Sequence, residues 1–231
     1  MRSSNVLVVI GSGGMGIPVA RRLGVGKRIL LADFSTDNLT IAQTTLTNEG
    51  YSTQTALLDV ANFASVTELA QQAAKMGSIE TIVHTAGVGP SAGSARRVYE
   101  INLQGTINVI DAFMPMIQAG SNLVCISSMA GHLCPPLSAE FERHLATASR
   151  EEVLNHPDLK FDDSSSRGAA TARLEGPAGK FVESSPAGRA GAPEDIVNAI
   201  AFLVNAASCF ITGTDILVDG GVTASVRWKE V

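Results

Sequence analysis

The sequence has few cysteines and no long apolar run, and each scarcity excludes a class of protein. Its three cysteines, Cys125, Cys134 and Cys209, show no C-x-x-C spacing and are odd in number, which argues against a disulfide framework or a zinc cage. No apolar run is long enough to span a bilayer, and the early run NVLVVIG is too short for a signal peptide. We therefore expect a cytoplasmic protein without a metal site.

Clustered positive charge is also missing. The chain has 17 Lys and Arg against 22 Asp and Glu, for a net charge of −5. No basic run is present that would bind nucleic acid or an anionic membrane. A small-molecule partner is the better expectation.

Short apolar runs alternate with helical patterns along the first half of the chain, as in a parallel sheet covered on both faces. Crossovers between parallel strands are right-handed, so we predict an α/β fold with a doubly wound parallel (Rossmann) sheet in one domain, 1–231. The predicted strands are 5–10, 28–33, 52–58, 79–85, 121–127 and 215–219. The predicted helices lie near 15–24, 36–49, 62–76 and 96–119, with another beginning at Pro193.

The tract 137–185 differs from the rest and is predicted to form a helical flap followed by a loop. Ser138 can cap one short helix, and Ser149 with Glu152 resembles a capping box for a second helix that stops before Pro157. Residues 161–186 are rich in Gly, Ser and Ala and show little periodicity.

Residues 10–16, IGSGGMG, fit the pattern G-x-G-x-x-G with Gly11, Gly13 and Gly16. The loop follows a predicted strand and opens a helix, where backbone N–H groups can approach a pyrophosphate. Asp33 ends the second strand, where an acid can accept hydrogen bonds from an adenosine ribose. Because this carboxylate would repel a 2′-phosphate and no Lys or Arg lies beside it, we predict NAD as the cofactor, with NADP less favoured.

Several further motifs, in order along the chain, resemble the short-chain dehydrogenase/reductase family. They are Asp59-Val60 in LLDV, HTAG at 84–87, Asn102 in INLQG, Ser128 in SSMAG, and the run from 185 to 222 ending in DILVDGG. The resemblance implies that Ser128 and Asn102 are catalytic. It implies a cofactor site made of Gly11, Gly13, Met15, Gly16, Asp33, Phe34, Asp59, Val60, Ala86 and Gly87. It also implies a dimer or tetramer.

Each of these residues also has a structural interpretation. Ser128 could cap a turn, Asn102 could be satisfied by a neighbouring carbonyl, and Asp59 could cap a helix. His84 is expected to be a satisfied buried histidine. The histidines that follow Ser128, among them His132, suggest a hydrolase, but no G-x-S-x-G elbow is present.

The small number of tyrosines is the most informative of these absences. In the family, a Tyr-x-x-x-Lys motif follows the serine, and its tyrosine is the general acid or base. The usual spacing from Ser128 falls on Phe141 and Leu145, and the two tyrosines of the chain, Tyr51 and Tyr99, both precede the serine. The family's next strand, with its Pro-Gly turn, is missing too, as though a helix and a strand of roughly 35–45 residues had been excised near 168–170.

Two functions from different classes stay open. The first is an NAD-dependent oxidoreductase that transfers hydride between an alcohol or ketone and nicotinamide. The second is an NAD-binding pseudoenzyme or deletion variant without turnover. The missing segment could reflect a natural or engineered deletion, a skipped exon, or a gap in the written sequence alone. Leu133, Leu137, Phe141 and Leu145 of the flap resemble those of members acting on bulky apolar alcohols.

Overall fold

The computed structural model describes residues 5–89, 93–159, 161 and 185–229. Five parallel strands form one sheet in the order β3-β2-β1-β4-β5. The strands are β1 Asn5–Ile10, β2 Arg28–Asp33, β3 Ser52–Leu57, β4 Ser78–His84 and β5 Asn122–Cys125. The predicted doubly wound parallel sheet is therefore confirmed, and each of its first five strands lies within two residues of its predicted bounds.

Helices connect the strands and cover the sheet. They are α1 Gly16–Leu23, α2 Thr36–Asn48, α3 Phe63–Met76, α4 Ala95–Tyr99, α5 Gly105–Phe113, α6 Ala130–Leu133, α7 Ala139–Thr147, α8 Pro193–Leu203 and α9 Val222–Lys229. A π-helix, Glu100–Gln104, joins α4 to α5, and short 3₁₀ turns cover Met114–Met116 and Ala206–Ser208. None of the helices in these described ranges is long and apolar enough to cross a bilayer.

Polar side chains define where several helices begin. Ser35 accepts the N–H of Asn38 at the start of α2, and Asn62 accepts N–H groups at the start of α3. Ser138 accepts the N–H of Phe141 and caps α7, as its position in the sequence predicts. Such caps satisfy donors that have no partner within the helix.

The central strand β1 divides the core into two layers. Its even-numbered residues pack with α3 and α5, and its odd-numbered residues pack with α1, α2 and α8. Every side chain from Val6 to Ile10 is 0 % exposed, because alternate residues of a strand point to opposite faces and both faces are covered. Core packing therefore fixes the positions of the strands whose ends carry the predicted site residues.

Two predicted elements are wrong. Residues 149–156 form turns and irregular backbone rather than a helix, because the segment before Pro157 is too short to hold one. Residues 215–219 do not form a strand. A strand needs a hydrogen-bonded neighbour, and the segment finds none among the residues that the structure describes.

The helical stretch predicted near 96–119 ends earlier, at Met116, and is interrupted by the π-helix. The predicted loop 161–186 lies almost wholly outside the described residues.

A cavity of about 460 Å³ lies beside the outer edge of β5. Two runs of eight residues, 121–128 and 211–218, line it together with Ile196, Ile200 and Leu203 of α8. We refer to it as the edge cavity.

Candidate functional site

The predicted site residues gather at the carboxyl edge of the sheet. The glycine loop follows β1, Asp33 ends β2, Asp59 follows β3, Ala86 follows β4 and Ser128 follows β5. Parallel strands bring these five positions to one edge. The strand order reverses between β1 and β4, which is the place where open α/β sheets bind ligands.

The glycine loop is tightly packed at its ends and open in its middle. A Cβ on Gly11, whose φ is +98°, would lie 2.6 Å from the Ala86 backbone nitrogen, and a Cβ on Gly16 would lie 2.1 Å from the Gly11 carbonyl oxygen. A Cβ on Gly13 would meet no protein atom within 4 Å. The first and last glycines are therefore needed for the turn, whereas Gly13 leaves the backbone accessible to a ligand.

Asp33 links this loop to the end of β2. One carboxylate oxygen accepts the Ser12 backbone N–H at 2.7 Å and the Ser12 hydroxyl at 3.0 Å, and the other accepts the Ser35 N–H at 2.8 Å. The side chain is half-buried. It is thus held beside the loop with one face open to solvent.

Asp59 is paired with a residue that the sequence analysis missed. The Nη2 atom of Arg97 lies 3.0 and 3.2 Å from the two carboxylate oxygens of Asp59. The Ala61 N–H also donates to Asp59 at 3.0 Å, so the carboxylate shapes the turn before α3, although Asn62 is the helix cap.

The remaining predicted contacts differ in accessibility. Val60 is buried, and its carbonyl accepts a hydrogen bond from the side chain of Asn108. Phe34 is 71 % exposed, and Met15 is half-buried at the start of α1.

Asn102 lies on the π-helix and holds the loop after β4. Its Oδ1 accepts the Val88 N–H at 2.9 Å, and its Nδ2 donates to the Val88 carbonyl at 2.9 Å. Single π turns within helices are frequent at functional sites. The structure thus brings Asn102 to the loop that contains Ala86 and Gly87, and its amide satisfies backbone groups there.

His84, at the end of β4, contacts the helix that carries Asn102 through the side chain of Thr106. The Thr106 hydroxyl donates to the Asn102 carbonyl at 2.8 Å and lies 3.2 Å from Nε2 of His84. Because a hydroxyl has one hydrogen to donate, Nε2 is assigned as the protonated nitrogen that donates to Thr106. The buried Nδ1 has no hydrogen-bond partner among the described residues. His84 is 1 % exposed, and burial lowers its pKa to about 4.

Ser128 is exposed and lines the edge cavity. Its hydroxyl oxygen accepts the Ala130 N–H at 3.2 Å, so it also caps the turn into α6. His132 lines the same cavity, but its Nε2 is 3.1 Å from Asp215, and no described histidine hydrogen-bonds to Ser128. The geometry therefore gives the hydrolase interpretation no support.

Neither tyrosine lies at the site. The Tyr51 hydroxyl donates to the Arg21 carbonyl at 2.9 Å, and the Tyr99 ring packs edge-on against Phe161 at 5.8 Å. Tyr99 belongs to a flap cluster whose buried members are Phe141, Val153, Leu154 and Leu159. Phe141 is buried in that cluster, and Leu137 is 45 % exposed.

Sequence reasoning missed several supporting residues: Ser12, Thr85, Val88, Arg97 and Thr106. Thr85 lies within hydrogen-bond distance of two carbonyls, Ile10 at 3.1 Å and Gly11 at 2.9 Å. Ser12 and Thr85 lie inside the glycine-loop and HTAG motifs, so a hydroxyl within a motif was the available signal. Arg97 and Thr106 depend on tertiary contacts and had no such signal.

Comparison with known families gives two matches. A family model described as "short chain dehydrogenase" matches residues 4–140, and one described as "Enoyl-(Acyl carrier protein) reductase" matches residues 168–223. Together they cover both parts of the chain that carry the motifs, and they leave 141–167 unmatched.

One curated relative is the short-chain dehydrogenase/reductase bsc3 of Alternaria brassicicola. It is 31 % identical over 265 aligned positions, which cover 96 % of this chain and 97 % of the relative. Because 96 % of 231 residues is about 222, about 43 aligned positions hold no residue of this chain.

Solved structures share the fold. NAD⁺-bound xylitol dehydrogenase aligns with a TM-score of 0.71 and 22 % sequence identity. The alignment covers 94 % of this chain and 98 % of the xylitol dehydrogenase chain. A single-residue variant of actinorhodin polyketide ketoreductase with NADPH aligns with a TM-score of 0.69 and 20 % sequence identity. The alignment covers 96 % of this chain and 99 % of the ketoreductase chain.

The burial of His84 predicts a pH-dependent stability. Its pKa is depressed from 6.5 to about 4 in the folded chain, so between these values the unfolded chain binds one more proton. The free energy of unfolding should therefore fall by about 1.4 kcal/mol per pH unit below 6.5 on this account, and not above it. Urea unfolding at pH 7.5 and 5.0 measures this, comparing the wild-type chain with His84→Asn.

Between pH 7.5 and pH 5.0, the free energy of unfolding should fall by about 2 kcal/mol more in the wild-type chain than in His84→Asn. Equal pH responses of the wild-type and His84→Asn chains would contradict the role assigned to His84.

Proposed function

Because this chain belongs to the short-chain dehydrogenase family, whose members are oxidoreductases, we propose that it is NAD-dependent and transfers hydride between nicotinamide and an alcohol or ketone. The observation that carries the proposal is the juxtaposition of the open glycine loop with Asp33 at the carboxyl edge of the sheet. Ser128 lies beyond it along the same edge, at the end of β5.

The residues present fit the adenosine and pyrophosphate half of a dinucleotide. The loop is tightly packed at Gly11 and Gly16, yet a Cβ on Gly13 would point into open space. The loop opens α1, whose first N–H groups have no partner within the helix and favour an anion. Asp33 would accept the ribose hydroxyls, and Met15, Phe34, Asp59, Val60, Ala86 and Gly87 would line the adenine and ribose positions.

The preference for NAD rests on charge. The Asp33 carboxylate already accepts three hydrogen bonds from Ser12 and Ser35, which hold a fixed negative charge beside the loop. A 2′-phosphate at this position would be repelled, since like charges about 4 Å apart cost on the order of 1–4 kcal/mol near a protein surface.

At the reacting end, the bound nicotinamide would supply or accept the hydride. Ser128 would donate a hydrogen bond to the substrate carbonyl, because its hydroxyl faces the edge cavity and its hydrogen is not used by the Ala130 contact. Asn102 would hold the loop after β4 and belong to the proton relay. The general acid is the unfilled role, because no tyrosine follows residue 99 and both tyrosines are engaged elsewhere.

That last observation favours a second candidate function, an NAD-binding protein without turnover. A missing general acid typically lowers the rate by about 10²–10⁴. Cofactor binding would persist, because its residues follow β1 to β4 and do not depend on the missing tyrosine.

Other properties belong to the same proposal. The substrate would be a small-molecule alcohol or ketone, and the flap suggests that it is bulky and apolar. The whole chain, 1–231, would form one domain and assemble as a homodimer or homotetramer. Cys125, Cys134 and Cys209 are free and exposed, which supports a reducing, cytoplasmic location.

Gly13 gives a test of the cofactor site that leaves the fold intact. Gly13→Ala places a methyl group in open space at an ordinary φ, so stability should stay within about 1 kcal/mol, whereas NADH affinity should fall tenfold or more because the methyl group blocks a close-approaching pyrophosphate. Gly16→Ala is the matched contrast and should destabilise the fold itself. Thermal unfolding and NADH fluorescence titration measure the two quantities. Unchanged NADH affinity in Gly13→Ala would contradict the placement of the pyrophosphate.

Turnover separates the two candidate functions. Purified chain is incubated with NADH and a panel of apolar ketones, and absorbance at the NADH band is followed. We expect NADH binding with turnover about 10²–10⁴ below that of the Alternaria brassicicola relative on a shared substrate, and Ser128→Ala should remove the residual rate. Binding without any turnover would establish the second candidate. Failure to bind NADH would contradict both.

A further inference from the structure

Three polar side chains from different elements line the edge cavity. Ser128 follows β5, His132 lies on α6 and Asp215 belongs to the segment 211–218. In the described part of the chain, the titratable side chains of the lining are His132, Asp215 and Cys125. One imidazole and one carboxylate therefore share a cavity with the serine assigned to the substrate carbonyl.

Contacts with two other elements fix the position of His132. Its Nε2 atom lies 3.1 Å from a carboxylate oxygen of Asp215, and its backbone carbonyl accepts a hydrogen bond from Nη2 of Arg227 on α9 at 2.8 Å. A carboxylate beside one imidazole nitrogen orients the ring and selects its tautomer. The other nitrogen, Nδ1, has no hydrogen-bond partner among the residues that the structure describes, so it is available for proton transfer.

The backbone brings His132 close to Ser128. The Gly131 N–H donates to the Ser128 carbonyl at 3.1 Å, and the His132 N–H donates to the Met129 carbonyl at 2.9 Å. These bonds coil the chain into a turn, and residues four apart on a helical turn are neighbours. The serine hydroxyl and the imidazole are therefore presented to the same cavity.

We propose that His132 is the general acid of this chain and donates from Nδ1 the proton that the missing tyrosine would otherwise supply. The inference rests on the proposed oxidoreductase function, in which the proton donor is the unfilled role. The substrate ketone takes a hydride from reduced nicotinamide at its carbonyl carbon while Ser128 donates a hydrogen bond to its oxygen. The C=O π bond breaks toward that oxygen, which takes the proton from Nδ1. The products are the alcohol and oxidised nicotinamide, and the neutral imidazole takes up a proton from solvent.

The other titratable groups of the cavity are poorer proton donors. Burial raises the pKa of the Cys125 thiol to about 11, so the thiol releases its proton to a substrate less readily than an imidazolium does. Asp215 faces the His132 ring as an acceptor. Histidine is also the side chain that enzymes use most often for general acid–base catalysis.

Alanine substitution with chemical rescue tests the assignment. Reduction of apolar ketones, among them cyclohexanone and acetophenone, is followed through the absorbance of NADH. His132→Ala should lower kcat by about tenfold or more, and added imidazole should restore part of that loss. Cys125→Ser is the matched control from the same cavity and should keep the wild-type kcat. Ser128→Ala should lose turnover that imidazole does not restore, because imidazole replaces a proton donor and not the serine hydroxyl.

Two further measurements do not depend on turnover. The NADH affinity of His132→Ala, from fluorescence titration, should match that of the wild-type chain, because His132 lies outside the residues assigned to the cofactor. Its thermal unfolding should change little, since an exposed ion pair contributes at most about 1 kcal/mol. In the nitrogen NMR spectrum of the chain loaded with NAD⁺, which carries no hydride, the Nδ1 signal that His132→Ala lacks should shift when acetophenone is added.

The outcomes separate the assignment from the proposed function. Ketone reduction at an unchanged rate in His132→Ala would overturn the assignment and leave the oxidoreductase function in place. So would ketone reduction by a chain whose His132 signal does not shift at saturating acetophenone. NADH binding without any turnover would overturn the assignment and establish the second candidate function. Failure to bind NADH would contradict the proposed function and the assignment together.

Discussion

The carboxylate of Asp33 is the contact on which the rest of the site depends. It joins two loops from neighbouring strands, because one oxygen accepts both donors of Ser12 and the other accepts the Ser35 N–H. These bonds fix the glycine loop relative to the end of β2. They also hold one negative charge beside the loop. A single side chain therefore fixes the loop geometry and, under the proposed function, sets the preference for NAD.

The site has two halves that depend on different parts of the sheet. The half assigned to adenosine and pyrophosphate follows β1 to β4, and the central residues of β1, β2 and β4 are buried. The half assigned to the reaction depends on Asn102, which holds the loop after β4, and on Ser128 after β5, which is the edge strand of the sheet in the part of the chain that the structure describes. Under the proposed function, loss of turnover would leave cofactor binding in place, because Ser128 lies outside the cofactor half.

Short sequence patterns predicted the structural features that depend on residues close together in the chain. The alternation of short strand-like runs with helical patterns predicted β1 to β5, and Ser138 predicted the start of α7, because core burial and capping act over a few residues. The position of Asp33 at the end of β2 followed from motif spacing. The strand predicted at 215–219 was wrong, since its pattern is apolar but a strand also needs a neighbour that no local pattern guarantees. The Arg97–Asp59 pair and the contact of Thr106 with His84 join residues 38 and 22 positions apart, so tertiary packing alone creates them.

Parallel titration of the chain with NADH and NADPH tests the central claim that Asp33 and the glycine loop form an NAD site. We predict that NADH binds at least tenfold more tightly than NADPH, a difference of about 1.4 kcal/mol. Asp33→Asn should narrow that gap by removing the negative charge, while Asp37→Asn, which neutralises an exposed acid in the first turn of α2, should preserve it. Equal or tighter binding of NADPH to the unmodified chain, or no binding of either nucleotide, would contradict the account.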